Sequence, residues 1–305
     1  MCTNKGKYLI ILAGPTAVGK TATSVRLAQE FDAEIISCDS RQLYKELSIG
    51  TAKPTVEDMD GVTHHMIGCI SATQRYTAAD YERDVDSLLA EYFLDNNVAI
   101  MTGGTGLYIK AVLHGLDDFP SVPNSVLQSL ESQVAELGLQ SLVEQLQVLD
   151  PLTASDIDIK NERRVIRALS VCVASGRPYS SYLRQATKIL PYQPILVVLE
   201  RPREQLYSRI NKRVDQMIAD GLVKEVEQLL SYREHTALQT VGYSEIFDYL
   251  DGTLSLPEAV ELIKRNTRRY AKRQMTWFRN QEDFLPWPAE DTAGLITKLH
   301  SLVTE

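Results

Sequence analysis

Four short apolar runs punctuate the chain, at Tyr8–Ala13, Glu34–Cys38, Val98–Met101 and Ile195–Leu199. Each has the length of a strand buried on both faces rather than of a helix. Between them, apolar positions recur at the three- and four-residue spacing of an amphipathic helix, as in Thr21–Phe31 and Thr77–Phe93. Short apolar runs alternating with helical stretches predict an α/β fold, a parallel sheet flanked by helices.

From about Asp117 to Leu190 the alternation stops. The stretch opens with Asp117-Asp118-Phe119-Pro120-Ser121-Val122-Pro123-Asn124 and continues in helical periodicity rich in Leu, Gln and Ser. It predicts a helical insertion, after which the Ile195 run supplies the last strand and the rest of the chain is almost wholly helical. The expected organisation is a P-loop core in 1–116, a helical insertion domain in 117–190, and completion of the core in 191–305.

Composition changes this picture little. A hydrophobic content of 44% with 24% charged residues is that of an ordinary globular protein, and 305 residues can bury a core without disulfide or metal staples. The four cysteines, Cys2, Cys38, Cys69 and Cys172, are scattered and lack zinc-ligand spacing, which suggests a reducing, cytoplasmic setting. The Tyr8–Ala13 run is too short for a signal sequence or membrane span. A monomer is expected. The net charge of −8 argues against a nucleic-acid partner until its distribution is considered. Lys264–Arg279 holds seven Lys or Arg and no Asp or Glu. On a helix, Lys264, Arg268 and Lys272 form one row and Arg265, Arg269 and Arg273 another, so six cations share a broad face, the footprint expected for anion or nucleic-acid contact.

The chemistry begins at Gly14-Pro15-Thr16-Ala17-Val18-Gly19-Lys20-Thr21, a match to G-x-x-x-x-G-K-[ST] placed directly between a strand and a helix. Such a loop wraps backbone N–H groups around phosphate oxygens at a helix N-terminus, Lys20 adds a point charge, and the Thr21 hydroxyl can hold Mg²⁺. A P-loop identifies phosphates but not a reaction. Ligands of open α/β sheets sit at the carboxyl ends of strands, which adds Asp39, Thr102-Gly103-Gly104-Thr105-Gly106 and Glu200-Arg201. Asp39 fits a general base, a water-mediated Mg²⁺ ligand, or a helix N-cap. Thr105 could offer a hydroxyl to a ligand or stand in a structural glycine turn. His64-His65 would point to opposite faces of a strand and suit structural roles better than a shared metal. Arg201, Arg203, Arg209, Lys212 and Arg213 place further cations near the last predicted strand, and Arg163, Arg164 and Arg167 form a third basic group in the insertion.

Together these segments resemble the tRNA dimethylallyltransferase (tRNA isopentenyltransferase) family, of bacterial type. The resemblance is carried by the P-loop, Asp39-Ser40-Arg41-Gln42-Leu43-Tyr44, Ile49-Gly50-Thr51-Ala52-Lys53-Pro54 and Gly103-Gly104-Thr105-Gly106-Leu107-Tyr108. It continues in Arg163-Arg164-Val165-Ile166-Arg167-Ala168-Leu169, Val241-Gly242-Tyr243 and Ala271-Lys272-Arg273-Gln274-Met275-Thr276-Trp277. It implies that residues 14–21 hold the diphosphate of dimethylallyl diphosphate, with Mg²⁺ as cofactor on Thr21. It implies that Asp39 takes a proton from an adenine N6 beside the anticodon of tRNAs reading U-starting codons, with Arg213 and Thr105 also at the reaction. Asp39, Ser40, Arg41, Gln42, Thr105, Arg163, Arg164, Arg167, Arg268, Arg269, Lys272 and Arg273 would contact the anticodon stem-loop. The family usually carries Asn-Asp where this chain has Lys160-Asn161, and Glu where Ser170 stands. From the residues alone, a small-molecule or nucleotide kinase fits the P-loop as well. An enzyme that prenylates free AMP or ATP, or a non-catalytic RNA-binding switch, would also carry such a loop.

Overall fold

A computed structural model describes residues 6–183, 188–281 and 283–303; Cys2 lies outside them. In chain order the elements begin with β1 (Tyr8–Ala13), α1 (Lys20–Phe31), β2 (Ile35–Ser37), α2 (Val56–Met59), β3 (His64–His65), α3 (Ala78–Tyr92), β4 (Val98–Gly103) and α4 (Gly106–His114). The all-helical stretch follows, with α5 (Asn124–Leu137), α6 (Leu139–Leu149), α7 (Pro151–Asp156) and α8 (Glu162–Ser175). Then come β5 (Gln193–Glu200), α9 (Arg203–Ala219), α10 (Leu222–Gln228), α11 (Tyr243–Leu250), α12 (Leu256–Gln281), β6 (Leu285–Pro288) and α13 (Thr292–Val303). The chain divides into two compact units, Met1–His114 with Ile189–Glu305, and Gly115–Lys188.

The first unit is a six-stranded sheet of order β3-β2-β4-β1-β5-β6 in which every paired neighbour is parallel. This is the α/β fold that the periodicity predicts. β1 lies between β4 and β5, and all six of its residues are buried. Alternation along the strands divides the core. Leu9, Ile11, Ile36 and Met101 join Tyr81, Val85 and Ile109 of α3 and α4 on one face. Ile10, Leu12, Ile35 and Ile100 join Val25 and Leu27 of α1, Leu206 and Ile210 of α9, and Leu295 of α13 on the other. A third cluster gathers Leu47, Val214, Leu222, Tyr243, Ile246 and Ile263 from the β2–α2 loop and α9 to α12.

β5 is not the last strand, as the apolar runs suggest. Leu285-Pro286-Trp287-Pro288 pairs with Val197–Glu200 as β6. Its two prolines withhold ladder donors and so disguise it as a turn, but at a sheet edge only one side needs pairing. β3 is also absent from the apolar pattern, being a two-residue edge strand on β2. His65 Nε2 lies 2.5 Å from Glu34 Oε2 and His64 Nδ1 2.9 Å from the Val62 carbonyl, so both rings have protein partners.

The second unit has no strand among its described residues. Leu142, Val143 and Leu146 of α6 pack on Val165, Leu169 and Cys172 of α8. Asn161 caps α8 by accepting from the Arg164 N–H, so the departure at this position keeps the start of the helix. The Ser170 hydroxyl, fully buried, donates to the Arg167 carbonyl. Arg163, Arg164 and Arg167 lie on the exposed side of α8, with Arg167 over the Phe119 ring at 5.2 Å.

Candidate active site

The carboxyl ends of β1, β2 and β4 open into a cleft of about 890 Å³ in the first unit. Its walls come from the P-loop and the start of α1, from Ser37, Asp39 and Gln42, from the 48–58 loop, from Thr102 and Gly103, from Arg209, Lys212, Arg213 and Met217 of α9, and from Tyr270 and Gln274 of α12.

The P-loop is held from outside by cations. Gly14 has φ +150°, and a Cβ there would press to 3.0 Å from the Leu199 carbonyl oxygen, so the turn out of β1 requires glycine. Lys20 Nζ donates to the carbonyls of Gly14 and Pro15 at 2.8 and 2.9 Å. Arg209 Nε donates to the Ala17 carbonyl at 2.8 Å and Arg201 Nε to that of Val18 at 3.3 Å. Arg213 Nη1 reaches the Thr16 hydroxyl at 3.3 Å. Four loop carbonyls are thus matched with positive groups, which fixes the orientation of the loop's peptide units. Burial pulls Lys20 down to about 8, against the opposing pull of Asp39, and lowers Arg213 as well. An incoming anion would reverse both penalties.

Gln274 joins the P-loop to the turn after β4. Its Oε1 accepts from the Thr16 N–H and its Nε2 donates to the Gly104 carbonyl, both at 2.9 Å. The contact is so close that a Cβ on Gly104 would lie 2.1 Å from Nε2. Sequence reasoning gives Gln274 no role, although a clue is present. It falls in the buried stripe Ala259, Ile263, Ala271, Gln274, Phe278, where a polar side chain needs partners.

Asp39 follows β2 but caps no helix. Residues 40–43 form turns, and Asp39 Oδ1 accepts from the Arg41 N–H at 2.9 Å. A helix N-cap role is excluded. The carboxylate is left in the cleft wall with Lys20 and Arg213 among its electrostatic neighbours. Thr105 braces this turn: its Oγ1 accepts from the Ser40 N–H at 3.0 Å, and its own N–H donates to the Cys38 carbonyl. Gln42 Nε2 donates to the carbonyls of Thr51 and Ala52, and Arg41 Nη1 to that of Thr236 at 3.0 Å. These side chains therefore order the site's loops. Tyr270 also borders the cleft, its phenol pushed up to about 12 mainly by burial.

Glu225 is a second organiser without a sequence signal. Its carboxylate accepts from the backbone N–H groups of Ser48, Ile49 and Gly50 at 3.2, 2.8 and 3.1 Å, and from the Tyr243 hydroxyl at 2.6 Å. Lys53 Nζ closes the same loop by donating to the Tyr44 carbonyl at 2.6 Å. The Ile49–Pro54 segment thereby becomes a fixed wall of the cleft.

The six-cation face on α12 is smaller than its periodicity implies. Lys264 pairs with Asp215 at 2.8 Å and Glu261 at 3.0 Å, and Arg268 Nη1 donates to Asn211 Oδ1 at 2.6 Å. Those two side chains anchor α12 to α9. Arg265, Arg269, Lys272 and Arg273 are the members that remain exposed.

Among the described residues no group of three or more His, Cys, Asp or Glu side chains gathers to hold a metal. A Mg²⁺ ion fits the cleft in another way. Thr21 and Asp39 offer oxygens beside the P-loop, and Ser37 Oγ, in the same wall, is buried without a hydrogen-bond partner. Also among the described residues, no helix is long and apolar enough to cross a membrane.

Fold and cleft define an α/β protein with a glycine-rich, cation-lined loop at the carboxyl end of β1. The sequence model of the IPP transferase family matches residues 42–281. A tRNA dimethylallyltransferase of Flavobacterium johnsoniae is 46% identical over 91% of this chain and 92% of its own, and tRNA dimethylallyltransferase 1 of Bacteroides thetaiotaomicron 45% over 93% and 92%. The solved tRNA isopentenylpyrophosphate transferase of Bacillus halodurans superposes with a TM-score of 0.72 at 39% identity, covering 98% of this chain and 96% of that one. A eukaryotic dimethylallyltransferase, captured acting on tRNA, superposes at 0.81 with 26% identity over 97% and 77%. The chain belongs to the IPP transferase family.

Proposed function

We propose that the protein is a tRNA dimethylallyltransferase, moving a dimethylallyl group from dimethylallyl diphosphate to N6 of the adenine 3′ to the anticodon in tRNAs that read U-starting codons. The observation that carries this reading is the shared cleft of P-loop, Arg213 and Asp39 in a chain so similar to enzymes of that name. Residues 14–21 bind the diphosphate, with Lys20 and Arg213 meeting the negative charge that grows as the C–O bond breaks. A bound Mg²⁺ would be held by Thr21 and would supply further stabilisation of the charge that grows on the leaving group.

The adenine amine is a weak nucleophile, its lone pair delocalised into the ring. Asp39 accepts its proton as the C–N bond forms, while the Arg41 N–H and the Thr105-braced turn hold the carboxylate in place. A stacked base cannot enter such a cleft, so the adenine is flipped out of the anticodon loop. Arg269, Lys272 and Arg273 on α12, and Arg163, Arg164 and Arg167 on α8, meet RNA phosphates. The protein acts as a monomer in the cytoplasm.

The test is transfer of labelled dimethylallyl diphosphate to an unmodified tRNA transcript with Mg²⁺ and without ATP, beside a reaction offering AMP. Label in tRNA alone is expected. Label in AMP alone would make the protein a mononucleotide prenyltransferase, and ATP consumption without label transfer would make it a kinase.

A further inference from the structure

Two buried side-chain polar atoms lack a hydrogen-bond partner among the described residues, Ser37 Oγ and Tyr192 Oη. Tyr192 belongs to the apolar core against Phe93. Ser37, 3% exposed, instead stands in the wall of the cleft, two residues before Asp39. Its neighbours along β2, Ile36 and Cys38, face the core under α3 and α4, so alternation turns the Ser37 side chain to the opposite face. Two buried or half-buried hydroxyls close by in that wall do have partners, Ser24 Oγ donating to the Thr21 carbonyl at 2.9 Å and Thr102 Oγ1 to that of Leu12 at 3.2 Å. The Ser37 carbonyl is occupied too, by the Tyr81 hydroxyl at 2.9 Å, which pins the end of the strand. The Ser37 side-chain hydroxyl is left buried without a partner among the described residues.

The strand beside β1 explains what such a hydroxyl can do. At the carboxyl end of β4, next to the P-loop, stands Thr102 rather than an acid. The next strand outward in the sheet is β2. β2 contributes Ser37 to the cleft, and the turn that follows it contributes Asp39.

We infer that Ser37 Oγ is a donor-site contact, donating its proton to an oxygen of the Mg²⁺–diphosphate group, and thus a binding residue of the transfer reaction. The inference rests on the proposed use of the P-loop for a diphosphate. A hydroxyl kept for a ligand is a burden on the free protein and a gain in the complex, so its removal has effects of opposite sign on the two.

The test pairs thermal melts of the free wild type and Ser37→Ala with calorimetric titration of inorganic pyrophosphate into each, with Mg²⁺ and again in EDTA. Ser37→Ala is expected to melt at the wild-type temperature or above it, and to bind pyrophosphate about tenfold more weakly with Mg²⁺. A loss in both titrations would assign the contact to a phosphate oxygen; a loss confined to Mg²⁺ would assign it to a water of the ion. Equal affinity of the two proteins would overturn the inference. So would a lower melting temperature of Ser37→Ala, since the hydroxyl would then have a partner inside the protein. If the wild type itself fails to bind pyrophosphate, the diphosphate reading of the P-loop falls instead.

Discussion

Lys20, Arg201, Arg209 and Arg213 turn toward the P-loop, whereas Arg265, Arg269, Lys272 and Arg273 face solvent on α12. The two sets carry equal formal charge but differ in what holds them. The inward set is fixed on named oxygens, and burial depresses Lys20 and Arg213. Each is therefore a directional donor whose removal leaves a specific hole. The outward set acts through long-range charge, where any one member can stand in for another and salt screens them all. A third kind of cation lies between: Lys264 is raised by its pairing with Asp215 and Glu261 and serves as a structural tie.

The contrast is sharpest at the chemistry. Asp39→Asn keeps an oxygen for the Arg41 N–H but cannot take a proton, and is expected to lower kcat by ~10²–10⁴ with tRNA affinity nearly unchanged. Single-turnover transfer and tRNA binding measured on the same preparation would check it; wild-type kcat would remove Asp39 from the base role.

Lys20→Met should weaken pyrophosphate binding by about 10- to 100-fold, as expected for loss of a charge-assisted hydrogen bond. The wild type adds a pH signature. Lys20 sits at about 8 in the free protein and a bound diphosphate raises it, so binding takes up a proton above that pH. Affinity should hold below about pH 8 and fall above it, and the fall should vanish in Lys20→Met. A wild-type profile flat across that range would mean Lys20 does not meet the anion.

Replacing Arg265, Arg269 and Lys272 together by Ala should reduce tRNA affinity by about tenfold and the slope of log K against log salt by about two, leaving pyrophosphate binding untouched. An unchanged salt slope would take α12 out of the RNA interface. The smallest effect is expected for Lys264→Met, below ~1 kcal/mol in stability because its partners Asp215 and Glu261 are largely exposed, with no change in the salt slope. A salt slope as reduced as in the triple variant would return Lys264 to the RNA-facing set.

Legibility in the sequence followed the range of the interaction. β1 was readable because six consecutive buried residues need no partner to be named, and the P-loop because its geometry is made within eight residues. β6 was not, since Pro286 and Pro288 read as turn residues until an edge is there to receive them. Asp39 was marked by its place after a strand, but whether it capped a helix depended on the turn that follows. Gln274 and Glu225 gave little or no sign, because each acts on backbone groups more than a hundred residues away.

Local chemistry thus determined the four inner strands of the sheet, the glycine-rich loop and the candidate base. All three rest on short-range properties, the hydrophobic period and which residue can make which turn. Tertiary packing alone decided which cations point inward, which tie α12 to α9, and which hydroxyl in the cleft is left over. The one-dimensional pattern counts charges and hydroxyls, but desolvation and hydrogen-bond saturation depend on what the fold brings within about 3 Å of each.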